Sequence, residues 1–136
     1  MKSMNLFNQR ITIIRIRKPI KKDINAELQW FGDSLGLFNL RDKDKSCFRI
    51  FIELLKATRA RHAISSDEIA FNLDLSRGTI VHHINKLMES GIVVTQTGGY
   101  ILRVDRLEQL IDEIEKDISR TCDDLRQIAR GIDENI

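Results

Sequence analysis

The sequence predicts a mainly α-helical chain with one small β-hairpin, an α+β class, finished by a long C-terminal helix. Three observations carry that prediction. Two short, capped helical patterns sit a turn apart between residues 65 and 90. Two brief apolar runs follow, on either side of Thr97, Gly98 and Gly99. Apolar residues then recur in steps of 4 and 3 from Leu107 to Ile132, the signature of one continuous helix.

The elements follow in order. Residues 11–17 (ITIIRIR) are β-branched and alternate apolar with basic, which predicts a strand closed by Lys18 and Pro19. The basic cluster at residues 18–22 (KPIKK) reads as a solvated loop, with phosphate contact as the alternative. Asp23 is placed to cap a helix running to about Leu35, with Ile24, Leu28, Phe31 and Leu35 on one stripe, Trp30 beside it and Gly36 ending it. Residues 37–44 lead on. A second amphipathic helix covers residues 46–59, with Cys47, Phe48, Phe51, Leu54 and Leu55 inward and Arg49, Glu53 and Lys56 outward. A short basic connection, Arg59–Ala60–Arg61–His62, comes next.

Ser65 and Glu68 form a capping box at the start of a short helix that buries Ile69, Ala70 and Leu73. Asp74 and Leu75 make a turn, Ser76 caps a further helix running to about Ser90, and Gly91 stops it. Strands at residues 92–96 and 100–104 then close a hairpin, because glycines at the tip tolerate positive φ. This order is that of a helix-turn-helix followed by a β-hairpin wing. In such a unit the second helix locks one face on the core and offers the other to a DNA major groove. Ile80, Ile84, Leu87 and Met88 form the inner face by spacing. Ser76, Arg77, Gly78, Thr79, His82, Asn85 and Lys86 are the candidate DNA contacts, joined at the wing by Gln96 and Thr97. Arginine can pair two hydrogen bonds with guanine and asparagine with adenine, while lysine meets phosphate. His83 lies beside the apolar face and reads as half-buried.

Asp105 and Glu108 predict another capping box, opening the last helix. In one heptad register Ile111, Ile118, Leu125 and Ile132 take the a positions, and Leu107, Ile114, Thr121 and Ile128 the d positions. A helix of about 28 residues spans about 42 Å, too long for so small a domain to cover. Burial of Leu107, Ile111, Ile114, Ile118, Leu125, Ile128 and Ile132 against a second copy is the simplest solution. The expected organisation is therefore an N-terminal basic strand and helix (1–45), a winged helix-turn-helix (46–104) and a coiled-coil dimerisation helix (105–136).

Charge is uneven. Residues 1–64 carry 14 Lys/Arg against 6 Asp/Glu, residues 65–103 carry 3 against 4, and residues 104–136 carry 5 against 10. The basic front suits a polyanion and the acidic tail does not. The wing tip itself has no basic residue. No apolar run approaches a membrane span, and none resembles a secretory leader, so a cytoplasmic protein is expected. Two cysteines, Cys47 and Cys122, suit free thiols rather than a disulfide framework. His82 and His83 are adjacent and point to different faces, a poor metal pair. No nucleophile–base pair and no phosphate-cradling glycine loop is present, so neither catalysis nor a cofactor is expected. A winged-helix module that docks onto other proteins is the alternative to a DNA-binding protein.

Residues 75–93 (LSRGTIVHHINKLMESGIV) closely resemble the recognition segment of arsenical-repressor-like (ArsR-like) winged-helix regulators, and the chain resembles a small archaeal-type member. The resemblance implies a dimer that binds operator DNA and represses transcription, with Ser76, Thr79, His82 and Lys86 at matching positions. Val81 stands where members often have serine. Metal-sensing members carry a cysteine pair in the first helix of the motif or an Asp/His set in the last. This chain has SSDEIAFNL in the first and no histidine in the last, so the resemblance does not extend to metal sensing.

Overall fold

The computed structural model describes residues 8–38 and 45–136, so most of the connection expected at 37–44 lies outside the described residues. The predicted class is borne out. Helices α1 (Ile24–Ser34), α2 (Ser46–Arg59), α3 (Ser66–Leu73) and α4 (Arg77–Glu89) precede strands β1 (Val93–Gln96) and β2 (Gly99–Leu102), and α5 (Leu107–Asn135) follows.

Helix α2 is the centre. Its Ile50, Phe51 and Leu54 are fully enclosed, and the helix packs against α3, α4 and β2. The other helices and the hairpin bring Ile69, Ile80, Ile84, Leu87, Ile92, Val93, Leu102, Leu110 and Ile114 to the same core. Two polar side chains serve element ends within it. The Thr58 hydroxyl donates to the Leu54 carbonyl and accepts from the Leu102 N–H at 2.9 Å. Arg49, expected to face outward, donates to the Leu73 carbonyl at 2.8 Å and so closes the C-terminus of α3.

Helix α1 forms as its sequence predicts. The Asp23 carboxylate accepts from the Asn25 N–H, and Gly36 leaves the helix at φ 68°. Phe31 tilts against Phe51, with ring centroids 6.4 Å apart. Ile24, first on the predicted stripe, is left exposed.

The strand expected at residues 11–17 does not form. The segment is an extended strap whose even-numbered backbone groups bind helix ends and an indole instead of another strand. The Arg10 N–H donates to the Glu89 carbonyl, the Ile14 N–H to the Ser34 carbonyl, and the Trp30 indole to the Ile16 carbonyl. β-branched residues favour extended backbone, but a ladder needs a neighbouring strand, and the hairpin lies elsewhere.

Helix α5 also departs from expectation at its start. Arg106, not Asp105, is the N-cap and makes no side-chain bond, so the helix begins a residue too late for an Asp105–Glu108 box. Its first half lies on the core through Leu107, Leu110, Ile114 and Ile118. Asp117, also on that face, is only 5% exposed, yet it is charged. Arg103 reaches it with Nη1 at 2.5 Å and Nη2 at 3.2 Å, Arg120 at 2.6 Å and the Gln9 amide at 2.8 Å. Burial alone would raise the carboxyl; the hydrogen bonds from Arg103, Gln9 and Arg120 outweigh it and hold Asp117 at about 2.

A depressed native value makes the ionised form stabilising above the unfolded pKa, and that stability is lost as pH falls toward about 2. The wild type should therefore lose roughly 2 kcal/mol between about pH 4 and pH 2 beyond what its other carboxylates cost. Asp117→Asn removes the nearer of two carboxylates from the mostly buried Arg103 guanidinium, leaving Glu113 at 3.3 Å, and should cost about 3 kcal/mol at neutral pH. Urea denaturation followed across pH checks both, since the variant must lack that acid-dependent step.

Candidate nucleic-acid interface

The turn between α3 and α4 is built by local chemistry. The Ser65 hydroxyl accepts from the Glu68 N–H at 3.1 Å, and the Glu68 carboxylate accepts from the Ser65 N–H at 3.3 Å. The Ser65 backbone bond, then His62, holds the Glu68 carboxyl below its ordinary range. Helix α3 ends on Asp74, in the left-handed region at φ 54°. Ser76 then caps α4, accepting from the Thr79 N–H at 3.1 Å, with its hydroxyl 2.8 Å from that of Thr79.

Helix α4 divides as the spacing predicts. Ile80, Ile84 and Leu87 are fully buried, which fixes the helix by its inner face. Met88, expected with them, is 37% exposed at the edge of that face. Ser76, Arg77, Gly78, His82, Asn85 and Lys86 are all exposed, and Thr79 is half-buried. A Cβ added at Gly78 would meet nothing within 4 Å, so the first turn is open to close approach. His83 is half-buried, and its ring meets that of His82 edge-on with centroids 5.3 Å apart. Val81 is exposed on the outer side, an apolar spot within a polar face.

Arg77 has a neighbour that sequence spacing did not indicate. Its Nε lies 3.7 Å from the Asp67 carboxylate of α3, with both side chains about three-quarters exposed. A pair so open to water contributes at most about 1 kcal/mol, so the guanidinium can leave it for a stronger acceptor at little cost.

The hairpin register pairs Val93 with Leu102 and Gln96 with Gly99, which leaves Thr97 and Gly98 as a two-residue tip. Gln96 and Thr97 are exposed there. The strands are shorter than expected, because Ile92 and Arg103 continue the ladder with one bond and the chain then bends. The two tip glycines also have different duties. Gly98 carries the positive φ of 87°. Gly99 lies against the backbone of Ile64, which bridges to Tyr100 by two hydrogen bonds of 3.0 and 2.8 Å. That bridge brings the connection after α2 to the wing. Arg61, itself left-handed at φ 57°, and His62 border one shallow depression with Gln96, Thr97 and Gly98. The positive charge absent from the wing tip is thus supplied from a connection some 35 residues earlier in the chain. The basic run at residues 59–62 is evident in the sequence, but no local spacing places it beside the wing.

The residues proposed for a second copy fall into two groups. Ile114 is buried in its own core, and Leu107 and Ile118 pack against it. Ile111, Leu125, Ile128 and Ile132 are 39%, 63%, 67% and 50% exposed. Leu110 faces the core although it lies outside the predicted seam.

No helix among the described residues is long and apolar enough to cross a membrane. Residues 64–95 match the family model described as "Bacterial regulatory protein, arsR family", which bears out the ArsR-like resemblance over α3, α4 and the first strand of the hairpin. No curated protein and no solved structure matches the chain.

The two glycines give a test of this wing. Gly98→Ala meets open space and only the positive φ opposes it, at a cost of about 1 kcal/mol. Gly99→Ala drives a methyl group into the Ile64 carbonyl and should cost more, about 2–3 kcal/mol. Thermal denaturation of the two variants should rank them in that order.

Proposed function

We propose that the chain binds double-stranded DNA as a homodimer and regulates transcription by occupying its site, as a repressor. It acts by binding, not by catalysis. The observation that carries this reading is the division of α4. Three fully buried isoleucine and leucine side chains anchor one face, while Arg77, Gly78, His82, Asn85 and Lys86 stand exposed on the rest of a helix that falls within the arsR-family match. A helix so held can enter a major groove without rearranging the core. Its N-terminus, open at Gly78, favours phosphate.

Dimerisation rests on the C-terminal half of α5. Leu125, Ile128 and Ile132 are spaced 3 and 4 apart and half or more exposed, an apolar seam with no cover from its own chain among the described residues. Two copies joined there present two recognition helices, and the effective concentration of the second raises the affinity of a weakly charged reading unit.

A second reading has one observation in its favour. Phe71 on α3 is 87% exposed, as a docking surface for another protein would require.

Arg77→Ala should weaken binding to the preferred duplex about 10-fold, and His82→Ala with Lys86→Ala by a similar factor, with the fold intact. Fluorescence anisotropy against genomic fragments measures both; equal affinity for wild type and variants would refute this reading face. Ile128→Asp should convert the dimer to monomer in sedimentation equilibrium and reduce DNA affinity without lowering helix content in the core. A monomeric wild type at micromolar concentration would overturn the dimer. Absence of duplex binding even at low salt, with loss of a protein partner in Phe71→Ala, would establish the second reading instead.

A further inference from the structure

The reading unit has a shortage: residues 65–103 carry 3 basic side chains against 4 acidic ones, whereas duplex affinity comes mainly from neutralised phosphates. The basic side chains of the chain are concentrated on the N-terminal strap, and the strap is attached to the recognition helix. Arg10 binds the carbonyl of Glu89, the last residue of α4, at 2.9 Å, and the Gln9 amide reaches the Ser90 carbonyl at 3.3 Å. Arg10 and Lys86 border the same depression at that end of the helix. From there Arg15, Arg17, Lys18, Lys21 and Lys22 follow, all exposed, and none of them pairs with a carboxylate among the described residues. The acidic residue that follows in sequence, Asp23, is engaged in capping α1, and Glu89 borders the depression that Arg10 and Lys86 share.

The strap is also held in place rather than loose. The bonds to Glu89, Ser34 and Trp30 use the backbone at Arg10, Ile14 and Ile16, so the path is fixed while the basic side chains pair with no carboxylate among the described residues. Pre-positioned cations lose less freedom on meeting an anion than cations on a mobile tail.

We propose that residues 10–22 form a phosphate-binding arm that extends the α4 interface along the DNA backbone and supplies affinity without sequence preference. This rests on the reading of α4 as the DNA-recognition helix. Charge selects the occupant: six cations in thirteen residues, continuous with Lys86, complement a polyanionic duplex. The acidic C-terminal region cannot supply that contact.

The test is a full-length variant in which Arg15, Arg17, Lys18, Lys21 and Lys22 are all replaced by glutamine, with a Lys-for-Arg control, R15K and R17K, that keeps the charge. Because the strap is anchored by backbone and indole bonds, the variant should melt like the wild type. Duplex affinity is read by anisotropy from 50 to 300 mM salt. The expected result is a shallower dependence of log affinity on log salt, reduced by about 2–4 per protomer, with binding at 150 mM salt weakened at least 10-fold. The ratio of affinities for preferred and random duplex should remain as in the wild type, and the control should match the wild type.

An unchanged salt slope in the glutamine variant, while Arg77→Ala still weakens binding, overturns the arm and leaves the reading helix standing. An unchanged slope together with loss of binding to vesicles of anionic lipid assigns the strap to a membrane surface and equally overturns it. A wild type that binds no duplex at any salt overturns the arm together with the functional reading beneath it.

Discussion

The arrangement depends on one buried carboxylate. Asp117 joins three segments that share no secondary structure: the strap through Gln9, the end of the hairpin through Arg103, and its own helix through Arg120. A charge removed from water is tolerated only when its lone pairs are all engaged, and here four donor atoms engage them. An apolar residue at this position would pack on the core equally well but would set no direction. The ion pair is directional, so it fixes the angle at which α5 leaves the hairpin and the point at which the strap begins. The same carboxylate thus governs where the free half of α5 projects and where the strap starts beside the C-terminus of α4.

The core does for α4 what the ion pair does for α5. Ile80, Ile84 and Leu87 are enclosed by α2, α3 and the hairpin, and a helix held on three such side chains cannot roll without opening a cavity. The outer face is therefore presented as a rigid surface. Its electrostatics come from elsewhere in the chain. Arg61 and His62 reach the wing because Ile64 bridges to Tyr100, and Arg10 reaches the far end of α4 because its backbone binds Glu89. A short helix-turn-helix of slightly negative charge is thereby flanked at both ends by basic residues contributed from outside it.

Much of this was legible in the sequence, and what was legible was local. The Ser65–Glu68 box, the Ser76 cap, the Asp23 cap and the glycines ending α1 and α4 all act within a few residues. Their spacing alone specifies them, and the bounds of α2 follow from amphipathic period. The candidate contacts on α4 likewise follow from a 100° rotation per residue, and all but the half-buried Thr79 are exposed. What was not legible acts at a distance. Residues 11–17 have strand chemistry, but β propensity states a preference for extended backbone and not which partner the backbone meets. The Arg103–Asp117 pair spans 14 positions and an element boundary, so no periodicity reveals it. The Asp105–Glu108 box had the right letters in the wrong phase, since tertiary packing of Leu107 and Leu110 decided where α5 begins.

The heptad pattern of α5 shows how one apolar repeat can serve two purposes. Up to Ile118 the helix spends its apolar side chains on its own core, adding Leu110, which the seam omits, and leaving Ile111 at the margin. From Thr121 onward almost every residue is exposed, Cys122 alone being half-buried, yet Leu125, Ile128 and Ile132 keep the spacing. A straight helix drifts about 20° per heptad against a 3.5-residue repeat, so the stripe turns away from the core as it leaves it. The 16 residues from 121 to 136 would be a marginal helix in water if nothing covered them. Apolar side chains maintained in register past the last internal contact add nothing to the fold of a single chain. They gain stabilising energy only when a second surface covers them, and a second copy of the same helix carries the matching repeat.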